Sequence, residues 1–431
     1  MKKLLISALV AATFLQPAGA QRRPDSLNAV ARDYVVLQLA IGEKEEGYID
    51  AYYGPAALKA QGQALAKRSN LAALRSATRA LSARVARLSR PGAGPDARRA
   101  RFLAAQLTAA DTRLRMLQGE KLSFDEEARG LFGVVPDLKP LSFYDPVVAE
   151  IERLVPGTGP IGDRVDAFQN RFTIPKDRLK PVFDAAIAGC RAETLSHFRM
   201  PPGERFDLAF VTGKSWSGYN YYQGGYHSKI EVNTDLPIRI SRAVDLGCHE
   251  GYPGHHSLNS LLEQKLTRGR GWIEDSVFPL FSPQAIIAEG SANYGVELAF
   301  PGKRKVQFET RTLYPLAGLP TADADRYDAL LEATKKLGGA RMTIAREFLN
   351  GRISEAEAVA LTRKYQLMSE ARAKQSVSFT KQYRTYVINY GLGQDMVRAD
   401  VESRQGEAAR WKRFEQIISE PTLPSDLRAK R

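Results

Sequence analysis

The residues best equipped for chemistry lie in one octapeptide, His249-Glu250-Gly251-Tyr252-Pro253-Gly254-His255-His256. Three of the five histidines in the chain fall there, and a glutamate follows the first directly. Neutral imidazoles and a carboxylate at this density suit a borderline-soft divalent cation, zinc above all. The common zinc-protease pattern places a second histidine one helical turn after the first, with the glutamate between them as general base. That position is Pro253 here, so the second ligand has to be His255 or His256. On an unbroken helix His249 and His256 would share a face but stand roughly 10 Å apart along the axis, a long span for ligands about 2 Å from one ion. Pro253 and Gly254 argue against an unbroken helix, since proline lacks a donor and clashes with the preceding turn. A broken turn shortens the span and favours His255, with His256 as the alternative. Glu250 is the expected general base.

A catalytic zinc site needs a third protein ligand and keeps one position open. The stretch from Pro283 to Gly290 begins a helix, with proline near the first turn where it is tolerated. It carries Glu289 in an apolar, small-residue context, where a carboxylate is costly to bury unless paired or bound. Glu289 is therefore the candidate third ligand. Asn293, one turn on, is placed to orient a ligand, and Glu297, two turns on, is a weaker candidate for the same job.

The octapeptide, the segment leading into it and Ala288-Glu289-Gly290-Ser291-Ala292-Asn293-Tyr294 together resemble a bacterial family catalogued as domain of unknown function 885. Its members carry His-Glu-x-x-Pro-Gly-His-His followed by Glu-Gly-Trp-Ala-x-Tyr. They are regarded as zinc metallohydrolases distantly similar to thimet-oligopeptidase-like and carboxypeptidase-Taq-like helical proteases. The resemblance runs from about Pro201 to Glu402, with one departure: Ser291 stands where the family has tryptophan. It implies a mainly α, zincin-like fold with a deep cleft, one zinc per chain, and Glu289 as a ligand. The stretch from Tyr383 to Gly393 resembles the family's Tyr-x-x-Gly segment, which makes Tyr390 the expected transition-state donor, with Tyr386 behind it on the substrate. Glu370 and Arg372 match a family Glu-x-x-Arg region only loosely.

These residues need elements to hold them. From Asp25 to about Met200 the pattern is helical: Leu74, Thr78, Leu81, Val85 and Leu88 form one stripe. Pro91-Gly92-Ala93-Gly94-Pro95 breaks it, and Asp96 is placed to cap a second helix that runs to a stop at Gly119. Tyr52-Tyr53-Gly54-Pro55 reads as a turn whose aromatics pack. The region 21–200 is expected to wall a cleft whose metal-binding part is 201–431, the two forming one unit. Beyond Phe206 the alternation and the glycine-rich Asn220–Tyr226 run predict a small β ribbon. An edge strand beside a metal helix can hold an extended peptide, which would place Tyr226 and Asn233 near the substrate; a structural hairpin covering the core is the competing reading. A helix from Ser354 to about Ser376 is scaffold, with Ser354 and Glu357 spaced as a capping box.

Composition is that of an ordinary globular protein, 44% hydrophobic and 26% charged over 431 residues. The formal charge of +14 is scattered along helical stretches with no basic run, so nucleic acid is not an expected partner. Met1-Lys2-Lys3, the apolar run Leu4–Leu15 and Ala18-Gly19-Ala20 read as a signal peptide over 1–20, which points to a periplasmic or secreted protein. That run is too short to span a bilayer, and no later one is longer. Cys190 and Cys248 could pair in such a compartment, but two cysteines make no framework, and Cys248, directly before His249, is expected unpaired as a small buried hydrophobe. The expected function is an exported zinc metallopeptidase acting on short peptides. The alternatives are a zinc amidase or other hydrolase of a non-peptide substrate, or a non-catalytic protein with a structural metal.

Overall fold

In the computed structural model, which describes residues 25–214 and 216–427, the predicted stripe is buried on the helix Leu71–Leu88. Asn70 caps it, its Oδ1 accepting from the Ala73 amide at 2.9 Å. The helix Pro95–Leu117 returns antiparallel along it, as the Arg75–Asp111 ion pair at 3.0 Å shows, joining the start of one to the end of the other. Asp96 is not the cap. Gly94 takes that position, Pro95 opens the helix, and Asp96 falls in the first turn, where its charge suits the helix dipole. The expected leader and its cleavage site lie outside the described residues.

The chain is mainly α-helical, as expected. Two small sheets interrupt the helices. Strands β1 (Ile49–Tyr52) and β5 (Val277–Pro279) pair antiparallel, and β2 (Arg205–Val211), β4 (His227–Asn233) and β3 (Gly218–Gly224) form a second sheet in that order. The ribbon prediction thus holds and gains a parallel strand, since β2 runs parallel to β4 while β3 runs antiparallel to it. Gly224, Gly225 and Tyr226 all take positive φ (79°, 64° and 60°) to close the β3–β4 hairpin. The two glycines adopt that backbone without steric cost. β1 was not anticipated. It ends where Tyr52-Tyr53 was read as a turn, and Tyr53 does pack, edge-on to Tyr222 with centroids 5.3 Å apart.

Two interfaces place the site. The helix Pro283–Ala299 is buried along most of its length and packs on the helix Ile388–Glu402. A Cβ added to Gly290 would stand 2.3 Å from the Gly393 carbonyl carbon, so the two backbones touch there. Ser291, where the family carries tryptophan, is buried with its hydroxyl donating to the Ala288 carbonyl at 3.1 Å. Second, the helix Leu179–Leu195 packs behind the octapeptide and brings Cys190 to Cys248 with Cα atoms 5.4 Å apart. The two are disulfide-bonded, which corrects the expectation of an unpaired Cys248. A sequence separation of 58 gave no sign of the helix packing that makes the bridge possible.

The scaffold helix expected from Ser354 to Ser376 is two helices, Glu355–Tyr365 and Glu370–Tyr383. Its capping box is formed as predicted, but Leu367 turns to a φ of 55° and breaks the run. Buried hydrophobic residues from Val30 to Leu427 join in one core cluster. No helix among the described residues is long and apolar enough to cross a membrane.

Candidate metal centre

The octapeptide does not continue the helix that leads into it. Ile240–Leu246 is α-helical, Gly247–Gly251 widens to a π turn, and a new helix starts at His255. Between them the chain folds sharply back. A Cβ on Gly254 would meet the His249 carbonyl oxygen at 1.8 Å, and the Gly254 amide donates to the Cys248 carbonyl at 3.0 Å. Only glycine fits so close to another backbone. The fold-back sets the His255 ring edge-on to that of His249, with centroids 4.7 Å apart.

Three donor atoms converge there. His249 Nε2 lies 3.1 Å from His255 Nε2, and Glu289 Oε2 stands 3.3 Å from the first and 3.7 Å from the second. Ligands at about 2.0–2.1 Å from a tetrahedral centre are spaced roughly 3.3 Å from one another, so this triangle has the dimensions of a zinc-binding face. Two of the three side chains are held from behind. His249 Nδ1 donates to Asn293 Oδ1 at 2.9 Å, which leaves Nε2 with its lone pair free. Asn293 is fixed in turn by donating to the Tyr390 carbonyl at 3.2 Å. The Tyr386 hydroxyl donates to Glu289 Oε1 at 2.8 Å. Glu289 Oε2, by contrast, is buried with no hydrogen-bond partner, an expensive condition that a cation would relieve. The donor set fits a zinc ion.

Electrostatics agree. Burial alone would raise the Glu289 carboxyl, but the facing His249 and His255 imidazoles hold it well below the usual carboxylate range. Burial works against a charged His255, yet the facing Glu289 carboxylate outweighs it and pushes the imidazole up to about 9. Burial raises Glu250, offset in part by the two histidines. Its side chain fits because β3 starts with glycine: a Cβ on Gly218 would lie 2.9 Å from Glu250 Oε1.

His256 points elsewhere. It is fully buried, Nε2 against Glu204 Oε2 at 3.0 Å and Nδ1 against the Ser228 hydroxyl at 2.8 Å. Glu204 also accepts from Arg191 at 2.9 Å and from Tyr252. His256 therefore ties its helix to β4 and takes no part in the three-residue cluster. Adjacent residues on a helix project about 100° apart, so only one of the pair can face the ion.

The cluster opens into a cleft of about 2080 Å³ lined from both regions of the chain, Asp50 and Arg113 from the first and Trp216, Tyr219, Tyr386 and Tyr390 from the second. Two predicted substrate contacts are absent from this lining. Tyr226 sits at the far end of the hairpin with its ring under Arg268. Asn233 is buried and donates to the Lys214 and Trp216 carbonyls, so it braces the loop that presents Trp216. The residues of β3 that do reach the cleft are Gly218 to Tyr221, in the aromatic run the sequence marked. Glu297 bonds Arg398 and no ligand, and Arg372 pairs with Asp166. Sequence reasoning missed Asp50. It accepts from the Tyr219 hydroxyl, and burial pushes its carboxyl up to about 6. The one signal was a carboxylate inside the short apolar run Ile49–Tyr52.

Among solved structures the chain is similar to a protein from Colwellia psychrerythraea described as a lipoprotein, at 16% identity with a TM-score of 0.50. That match covers 86% of this chain and 61% of the other, so the chain spans less than two thirds of that protein's length. It is also similar to metallocarboxypeptidase 1 of Trypanosoma cruzi, at 12% identity and a TM-score of 0.44, covering 91% of this chain and 88% of that one. No family model and no curated protein sequence matches the chain. The resemblance to the family of unknown function 885 therefore rests on the motifs quoted above.

Proposed function

We propose that the chain is an exported, zinc-dependent metallopeptidase that hydrolyses short peptides. The observation that carries this reading is the open triangle of His249 Nε2, His255 Nε2 and Glu289 Oε2, with Glu289 Oε2 unpartnered and Glu250 beside it. A structural site closes all its positions with protein ligands; this one has three and faces a cleft. When bound, zinc would supply Lewis acidity and make water a stronger acid.

The protein side chains divide the remaining work. Glu250 accepts a proton from the attacking water and passes it to the leaving amine. Its burial raises its proton affinity toward what a base working near neutrality needs. The Tyr390 hydroxyl is the donor assigned to the developing oxyanion. Asn293 and Tyr386 orient His249 and Glu289 from behind. The cleft accepts a chain segment between its walls and excludes folded proteins.

The deciding test is Glu250→Gln. Zinc should stay at one per chain while peptide hydrolysis falls by roughly 10²–10⁴-fold, the usual worth of a positioned base. Full activity in that variant, or no zinc on the wild type after zinc is offered, removes the reading. A panel of peptides, non-peptide amides and esters separates a peptidase from other hydrolases.

A further inference from the structure

Arg341, on the helix Gly338–Leu349, lines the same cleft. Its guanidinium lies 5.5 Å from the ring centroids of both Tyr390 and Phe379. The other lysines and arginines of the cleft wall each have a carboxylate partner, from Arg113 with Glu45 to Arg398 with Glu297. Among the described residues Arg341 has none, and its Nε is buried without a hydrogen-bond partner. Burial accordingly holds its pKa below the ordinary arginine value. A planar donor fork, stacked on aromatic rings and left unpaired, is built for a planar, doubly accepting anion. Leaving the buried Nε of such a group unpaired costs free energy that a bound carboxylate would recover.

We infer that Arg341 anchors a carboxylate of the substrate on the Tyr390 side of the metal centre. This rests on the peptidase reading and narrows it: the substrate is a peptide with a carboxylate beside the scissile bond. That carboxylate is either the free C-terminus, which would make cleavage exo-acting, or an acidic side chain.

The test uses the full-length mature protein loaded with zinc, its hydrolysis-dead Glu250→Gln form, and Arg341→Gln and Arg341→Lys. The probes are one short peptide with a free C-terminus, the same peptide amidated, and an amidated peptide carrying a single glutamate. Calorimetric binding to the Glu250→Gln protein should favour a carboxylate-bearing probe over the plain amide by roughly 10- to 100-fold, the worth of a hydrogen-bonded charge pair. Adding Arg341→Gln should erase that preference, and Arg341→Lys should restore part of it, with zinc content and melting temperature held. Preference for the free C-terminus identifies an exo-acting enzyme, and preference for the glutamate probe identifies an acidic side chain. Equal binding of all three probes, no binding of any, or a preference that survives Arg341→Gln overturns the inference. If wild-type protein binds carboxylate probes through Arg341 yet hydrolyses none of them, the peptidase reading fails while the anchor stands.

Discussion

At the residue scale the candidate metal-binding triad makes a sharp distinction between neighbours. His249→Ala, His255→Ala and Glu289→Ala should each reduce bound zinc to well below one per chain, measured by elemental analysis after dialysis. His256→Ala should keep its zinc and lose stability instead, by about 1–3 kcal/mol, because Glu204 and Ser228 each lose a buried partner. Zinc loss in His256→Ala with a normal melting temperature would contradict the assignment. The protonation of His255 gives a second prediction. With its imidazole pushed up to about 9 by Glu289, the metal-free protein holds a proton there at neutral pH. Zinc must displace that proton, so its apparent affinity should fall about tenfold per unit as pH drops below that value. Competition with a chelator at pH 6 and pH 8 measures it, and equal affinities would show that no proton is displaced.

At the element scale two backbone contacts do the positioning, and both depend on glycine. Gly254 allows the fold-back that sets His255 edge-on against His249, since any Cβ there collides with the His249 carbonyl. Gly254→Ala should therefore cost zinc affinity as well as stability. Gly290 lets the Pro283–Ala299 helix sit directly on Gly393, which sets the reach between Tyr386 and Glu289 and between Asn293 and the Tyr390 carbonyl. Gly290→Ala should force the helices apart and destabilise the protein by about 1–3 kcal/mol, the usual cost of overpacking. Denaturant melts read the stability, and zinc titration reads whether the ligand geometry moved. An unchanged zinc affinity in both variants would mean that the cluster is set by side-chain packing and not by these approaches.

For the whole molecule, the Cys190–Cys248 bridge joins the Leu179–Leu195 helix to the residue directly before His249. Closing a separation of 58 residues removes freedom from the unfolded chain. Replacing both cysteines by alanine should cost about 2–4 kcal/mol. If the bridge also steadies the site, zinc should dissociate faster from that variant, which stopped-flow chelation would detect. The cleft supplies a further prediction of substrate size. Short peptides should be cleaved and folded proteins left intact, and efficient cleavage of a folded protein would show that the walls open.

The sequence by itself marked the candidate chemistry. His249, Glu250 and Glu289 stand out because charged and metal-binding groups in apolar surroundings need a reason to be there, and Asn293 by its place one turn after Glu289. The Leu71–Leu88 stripe, the capping box at Ser354 and the glycine-turned ribbon were also legible, because periodicity and turn chemistry are local. Only the tertiary structure decided what depends on close packing between distant segments. It brought His255, and not His256, beside His249 and Glu289, because that depends on how far Gly254 lets the chain fold back on His249. It moved Tyr226 and Asn233 off the cleft, because alternation along a ribbon does not say which end faces the metal. It brought in Asp50 and Arg341, which carry no local signature, and it paired two cysteines through helices the sequence could not dock. Residue types set what the site can do; backbone contacts across the fold set which residues do it.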